Sequence, residues 1–251
     1  MIDISQQGEI AIVTLRHGKA NAMDIEFCEA IAARFEELRK SKARAVVLTG
    51  EGKIFSAGVD LVRALDGGAD YFHKFLPALS KAFVTVFFFP RPVVAAVNGH
   101  AIAGGCVLAC CADRRLMAKG AGRIGIPELL VGVPFPTVAL EVMRFTVAAR
   151  FIQDVFLTGA TYPPEEALLR GLADEIVEPD DLMRRAVAAA EHFAAIRTDA
   201  FAITKLQLRQ SVADRCAREA ERFETVVNEL WCAPESFERI RAYVSRTFKK
   251  A

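Results

Sequence analysis

The stretch PVVAAVNGHAIAGGCVLACCAD, residues 92 to 113, decides the fold. Its apolar run from Val93 to Val97 has the branched residues of a buried strand. An Asn98-Gly99 turn ends that strand, and Gly104-Gly105 lead into small residues suited to a tightly packed helix. Strand, glycine turn and helix start make a junction that can aim unpaired backbone N–H groups into a cleft. The same glycines also suit a plain packing turn that needs them only for φ freedom.

Outward from this stretch, a second strand exit of the same kind lies upstream. A strand from Ala45 to Thr49 runs into GEGKIFSAGVDL, again rich in glycine. Before it come an alternating strand from Glu9 to Leu15, the loop RHGKANAMD, and a helix with Asp24 as N-cap and Phe27, Ile31, Phe35 and Leu38 on one face. Residues 62 to 91 read as a mobile or partly helical cover, because Gly67-Gly68 and Pro77 break the pattern. Phe87 to Phe89 read as core or subunit-contact aromatics.

Downstream, a short strand from Arg114 to Ala118 is followed by RIGIPELLVGVPFP. Helical patterns cover Thr137 to Leu157 and Pro163 to Arg170, and a small strand covers Glu175 to Val177. From Asp180 the chain reads as almost purely helical, with Leu206, Val212, Cys216, Phe223, Val227 and Leu230 near i, i+4 spacing. Strand and helix alternate in front and helices follow behind, so the expectation is an α/β core over residues 1–195 and a helical C-terminal region over 196–251.

Composition excludes several classes of function. A chain of 251 residues with 53% apolar content can bury a sizeable core. Its formal charge of +1 gives no electrostatic case for nucleic acid or an anionic membrane. No secretory start is seen, and no apolar run approaches the roughly 18 residues that span a bilayer, so a cytoplasmic protein is expected. The six cysteines form no C-x-x-C pair and have no matching histidine spacing, which argues against zinc. Cys106 and Cys110 can share a helical face as small buried packers, and no disulfide framework is implied.

The two exits, AGVD and AGGC, can face each other across a cleft and each lend a backbone N–H. Two such donors make an oxyanion hole, suited to a thioester or acyl carbonyl that gains negative charge during reaction. The proton-handling group between them is Glu128, whose neighbours Ile, Pro, Leu, Leu and Val favour a raised pKa through desolvation. The competing reading is a partly exposed loop glutamate. His100 lies in the glycine turn and reads as structural or solvent-facing, and His73 lies in the variable cover. Asp60 and Asp113 suit the holding of local backbone N–H groups more than chemistry. No phosphate-binding P-loop and no G-x-S-x-G elbow occur.

Taken together, IAIVTL, FSAGVDL, PVVAAVNGHAIAGGC, IGIPELLVG, LTGATYPPEEALLRGLADEIV and the terminal AYVSRTFKK make the chain resemble the crotonase (enoyl-CoA hydratase/isomerase) superfamily over nearly its full length. The resemblance implies an α/β fold, a crotonase-type spiral of ββα units with a helical C-terminal trimerisation region, assembled as a homotrimer or dimer of trimers. It also implies an acyl-CoA thioester as substrate, with no cofactor beyond the coenzyme A that the substrate carries, and no metal.

Residue by residue, the two oxyanion donors of the superfamily fall on Val59, after Gly58, and on Gly104, before Gly105. The carbonyl that receives the adenine amino group falls on Ala57, with Asp60 closing the same segment. Tyr243 and Arg246 match residues that reach the coenzyme A of a neighbouring subunit. The lysine found after AGxD in hydratases is replaced by Val62, with Arg63 adjacent.

Hydratases of the superfamily carry two glutamates, and this chain departs at one of them. The first position is Val107 here, and the second is kept as Glu128. Val107 can neither hold nor deprotonate a water. Pro134-Phe135-Pro136 also replaces a glycine-rich turn beside the water site. With one carboxylate and an apolar wall at Val107 and Phe135, the pattern resembles the one-glutamate Δ3,Δ2-enoyl-CoA isomerases. An enoyl-CoA hydratase and a non-catalytic acyl-CoA-binding homologue are the alternatives.

Overall fold

The computed structural model describes residues 1–248. Lys249 and Lys250 of the terminal segment, and Ala251, lie outside the described residues. Strands β1 (Ile2–Gln7) and β2 (Ile10–Leu15) pair antiparallel. Helix α1 (Ile25–Lys40) starts at the predicted cap, where the Asp24 carboxylate accepts the Phe27 N–H at 2.8 Å, and it buries the predicted Phe27, Ile31, Phe35 and Leu38.

Three successive units then follow one plan. They are β3 (Ala45–Gly50), β4 (Ile54–Ser56) and α2 (Leu61–Phe87); β5 (Val93–Val97), β6 (His100–Ile102) and α3 (Gly104–Cys110); and β7 (Arg114–Ala118), β8 (Ile124–Gly125) and α4 (Glu128–Val131). In each unit the first strand joins a six-stranded sheet and the second joins a smaller four-stranded one. The chain continues through α5 (Thr137–Thr146), α6 (Ile152–Thr158), β9 (Thr161–Tyr162), α7 (Pro164–Arg170), β10 (Glu175–Val177), α8 (Leu182–Ala194), α9 (Thr198–Cys232) and α10 (Pro234–Phe248). The large sheet has the order β1-β2-β3-β5-β7-β10 and the small one β4-β6-β8-β9.

Alternation of side chains along the large sheet creates two cores. Val46, Leu48, Val93, Ala95 and Val97 face the main core beneath the helices. Ala45, Val47, Val94 and Ala96 face outward and are covered by Leu182, Ala186, Val187 and Ala190 of α8. Each buried branched side chain contributes about 1.5–3 kcal/mol, so the all-apolar run at residues 93–97 fits a strand covered on both faces.

The structure corrects three expectations and adds elements that the sequence reading omits. Residues 62 to 91 are helical almost throughout, in α2, which leaves helical geometry only at Gly68 (φ 65, ψ −158). A stripe of Phe72, Phe75, Leu76, Leu79, Phe83 and Val86 buries along this helix and outweighs the cost of Pro77. The span from Thr137 to Leu157 is two helices, separated after Thr146 by a 3-10 turn over Ala149–Phe151. Strands β1, β4, β6, β8 and β9 carried no periodic signal, because most are two or three residues long. Finally, Leu206, Phe223 and Leu230 of the tail are each 47–48% exposed, whereas Lys205 and Arg209 are buried. Helix α9 docks through those cations, since the Asp113 carboxylate accepts from Lys205 at 2.7 Å, from Arg209 at 2.9 Å and from the Val93 N–H at 2.8 Å.

Candidate active site

The ends of β4 and β6 meet where their chains turn into helices. Gly58 takes φ +83, and a Cβ built there would fall 2.7 Å from Ala103 Cβ and 3.3 Å from the Gly104 nitrogen. The two segments that the sequence pairs as donors are therefore in direct contact. A side chain at Gly105 would collide with the Ser56 backbone, its Cβ lying 2.8 Å from Ser56 Cβ. This close approach is why small residues occur there.

Each backbone is turned so that one amide is left over. Met23 N–H donates to Gly58 O at 2.7 Å, and Asp60 N–H donates to Met23 O at 2.9 Å. Neither bond uses the Val59 N–H. On the other side, Ala103 N–H donates to Gly125 O at 2.8 Å, and Ala103 itself sits at φ 53, ψ −126. The following amide, Gly104, opens α3 and has no carbonyl four residues back in the helix. Among the described residues neither the Val59 nor the Gly104 N–H has a hydrogen-bond acceptor.

Glu128 is the first residue of α4, behind Pro127. It is 8% exposed, and its Oε2 has no hydrogen-bond partner among the described residues. Burial pushes its carboxyl from an ordinary 4.5 up to about 8, opposed only by its own backbone N–H. The loop-glutamate reading is thereby set aside. A cavity of about 50 Å³ is lined by Ala57, Val59, Ala103, Glu128, Trp231 and Tyr243, among others. Amides without acceptors and a carboxyl held partly protonated can together stabilise an enolate and move a proton.

The remaining sequence-selected residues fall in different places. Ala57, Val59, Glu128 and Tyr243 converge on the cavity, with Gly58, Gly104 and Gly105 forming the backbone behind it. Asp60 caps α2, its carboxylate accepting the Arg63 N–H at 3.0 Å, and does not line the cavity. Arg63 is paired with Asp24 and Glu26. Val107 is buried within α3, in the core behind the cavity.

Phe135 is displaced from the expected wall. It stacks edge-on against Phe156 at 5.1 Å and lines a separate cavity of about 650 Å³ beside α5, α6 and α9. Tyr243, which the resemblance matches to a residue that reaches a neighbouring subunit's coenzyme A, lines the cavity of its own chain. Arg246 is exposed, its guanidinium 5.8 Å from the Tyr243 ring centroid. His73 is exposed on α2, with Nε2 3.8 Å from Cys232 Sγ, and His100 lies on β6; neither lines the cavity. The cysteines are free, and Cys106 and Cys110 are buried as expected.

Trp231 was missed. Its Nε1–H donates to Pro134 O at 2.9 Å, tying α9 to the segment after α4, and its ring closes the cavity. The apolar stripe of α9 pointed to it, since it follows Val227 by one turn.

A family model described as enoyl-CoA hydratase/isomerase matches residues 5–247. The mitochondrial enoyl-CoA delta isomerase 1 of Rattus norvegicus is 28% identical over 223 residues, covering 87% of this chain and 77% of its own. The short-chain-enoyl-CoA hydratase of Clostridium acetobutylicum is 31% identical over 186 residues, 73% of this chain and 71% of its own. Among solved structures, human mitochondrial delta3-delta2-enoyl-CoA isomerase superposes with a TM-score of 0.94 at 23% identity, covering 99% of this chain and 98% of that one. That likeness is one of fold, and it matches the expected spiral of ββα units. No helix among the described residues is long and apolar enough to cross a membrane.

Proposed function

The chain belongs to the enoyl-CoA hydratase/isomerase family, and from that premise we propose that it is a Δ3,Δ2-enoyl-CoA isomerase acting on an acyl-CoA thioester. The observation that carries this reading is the solitude of Glu128. It is the one carboxylate among the residues lining the cavity, and the sequence position at which the superfamily's hydratases carry a second glutamate is Val107, an apolar residue buried in α3 that is not among those lining residues.

In the proposed reaction the thioester oxygen sits between the Val59 and Gly104 N–H groups. Glu128, ionised, removes a proton from C2 of a 3-enoyl thioester. The C2–H electrons delocalise to the thioester oxygen as a dienolate, which the two amides stabilise. The Glu128 carboxylic acid then returns the proton at C4, the C3=C4 pair forming the new C4–H bond while the C2=C3 double bond and the C1 carbonyl form. No atom is gained or lost, and the glutamate ends as it began. Ala57 O offers an acceptor for the adenine amino group, and Tyr243 closes the cavity from its own chain.

The proposal extends to assembly and place. It includes a cytoplasmic location and assembly as a homotrimer or dimer of trimers, for which the exposed Phe223, Val226 and Leu230 of α9, beside the larger apolar cavity, offer a surface.

The purified protein is expected to convert 3-hexenoyl-CoA to the 2-enoyl product and to hydrate crotonyl-CoA only feebly. Glu128→Gln is expected to lower isomerisation about 10²- to 10⁴-fold, the range of general acid–base catalysis. Hydration at a rate typical of a hydratase, or full-rate isomerisation by Glu128→Gln, overturns the proposal. Tight thioester binding without turnover of either substrate identifies a binding protein instead.

A further inference from the structure

We propose that Asn21, in the loop between β2 and α1, is a positioning residue that holds the Val59 N–H in its aim at the thioester oxygen. The proposal rests on the oxyanion reading of the site. Gly58 at φ +83 gives the Gly58–Val59 peptide freedom to rotate. Because a trans peptide is planar, its C=O and N–H point in opposite directions, so whatever holds Gly58 O also aims the Val59 N–H. What holds Gly58 O is the Met23 N–H at 2.7 Å, and Met23 lies in the loop that Asn21 anchors.

Asn21 has the means to anchor it. It is 4% exposed and takes φ 48, a conformation that favours Asn among non-glycine residues. Its Nδ2 donates to Phe55 O at 3.0 Å and Ile54 O at 3.3 Å, which fastens the loop alongside β4. Its Oδ1 accepts the His17 N–H at 2.7 Å, closing the loop on itself. Its backbone oxygen accepts the Ser56 hydroxyl at 2.7 Å, and that hydroxyl in turn accepts the Gly58 N–H at 3.2 Å. The donor segment is thus gripped on both sides of Gly58, and both grips run back to Asn21. Ala57 N–H, bound to Ala20 O at 2.9 Å, adds a third tie from the same loop. The Val59 N–H is left over by this pattern, and Val59 lines the cavity.

The grip acts on the transition state more than on binding, because an oxyanion takes more from an aimed N–H than a neutral carbonyl does. Two variants separate side chain from backbone. Asn21→Gly keeps the left-handed backbone free of strain and removes every side-chain bond. Asn21→Asp keeps the acceptor for His17 and loses the donor to β4. The readouts are kcat and KM on 3-hexenoyl-CoA, the melting temperature, and the ultraviolet enolate absorbance of bound acetoacetyl-CoA, which reports oxyanion stabilisation without turnover.

Loss of one oxyanion donor costs about 10²–10³ in kcat, so a mis-aimed one is expected to cost about ten- to a hundredfold. KM and acetoacetyl-CoA affinity are expected to change less than about threefold, while the enolised fraction falls in step with kcat. Variants that melt earlier but keep the wild-type enolised fraction overturn the proposal. Wild-type protein that binds acetoacetyl-CoA without enolising it overturns the oxyanion reading beneath it. Wild-type protein that enolises it yet fails to isomerise 3-hexenoyl-CoA refutes the isomerase assignment alone, and the enolised fraction of the variants still decides the role of Asn21.

Discussion

Glu128→Gln should make the protein relatively more stable as the pH rises, and this can be measured without any substrate. Folding moves the Glu128 carboxyl from 4.5 to about 8 by burying it without a partner. Below 4.5 both the folded and the unfolded chain hold the proton, and the group costs nothing. Between 4.5 and about 8 the unfolded chain ionises while the folded one stays protonated, so stability falls as pH rises. Above about 8 the full penalty remains. At about 1.4 kcal/mol per pH unit the window corresponds to an upper bound of roughly 5 kcal/mol. Relaxation and water entering around the charged form reduce this, and roughly 2–4 kcal/mol is expected. Urea unfolding of both proteins at pH 5 and pH 9 supplies the assay, because glutamine carries no titration and any fixed cost of burying its amide cancels between the two pH values. Stability profiles that run parallel within about 0.5 kcal/mol would refute the reasoning, since Glu128 would then be hydrated or paired in solution.

Four further outcomes follow from the same structure. The pH profile of kcat/KM for isomerisation should rise through about 8, because the free enzyme's base must be ionised; a profile flat from pH 6 to 9 counts against Glu128 as that base. Gly105→Ala should cost about 1–3 kcal/mol in urea unfolding and lower turnover, as the new methyl drives Ser56 and the donor strand apart. Asp113→Ala should cost about 3–5 kcal/mol by leaving Lys205 and Arg209 buried without their carboxylate, with KM of the folded fraction unchanged. Trp231 is the only tryptophan, so its emission should shift when acetoacetyl-CoA is titrated in, and Trp231→Phe should lose about 1 kcal/mol with the bond to Pro134.

Much of the fold was legible because its strongest signals are periodic and local. The 93–97 strand, the α1 face and the Asp24 cap all follow from residue spacing and short-range hydrogen bonding. Helix α2 was misread because Gly67, Gly68 and Pro77 are local breakers, whereas the stripe that overrides them gains its energy from α1, α9 and α10 packed against it. The tail misled for the opposite reason. Its i, i+4 leucines suggested burial, but a helix 35 residues long contacts the core over only part of its length, and its first turns dock by charge. In the candidate site, the motifs named Val59 and Glu128, which line one cavity, and Gly104, whose segment touches that of Gly58. The positions of Phe135, Tyr243 and Trp231 were not legible, since each depends on how α4 and the C-terminal helices close over one another.

Several features that violate local energetic rules gather around a single cavity. Among the described residues, the two non-glycine residues at positive φ are Asn21 and Ala103, one behind each donor amide. The Val59 and Gly104 N–H groups lack acceptors, and Glu128 is the one carboxyl whose buried oxygen lacks a partner. Elsewhere the Nε atoms of Arg44, Arg114 and Arg115 are also buried without a partner, but each of those guanidiniums bonds through its other nitrogens; Asp113 takes two cations and a backbone N–H, and Arg91 donates to the Leu38, Arg39 and Ala43 carbonyls near the end of α1. Unpaired groups of both signs, donors on one side and an acid on the other, would be removed by a few substitutions if stability alone governed the sequence. Their convergence has a physical explanation if the missing partner is a substrate that supplies an oxygen to the amides and a labile proton to the carboxyl. A ligand carrying only one of these would leave half of the strained set unanswered, which is why a thioester with an acidic C–H fits this cavity better than a simple anion.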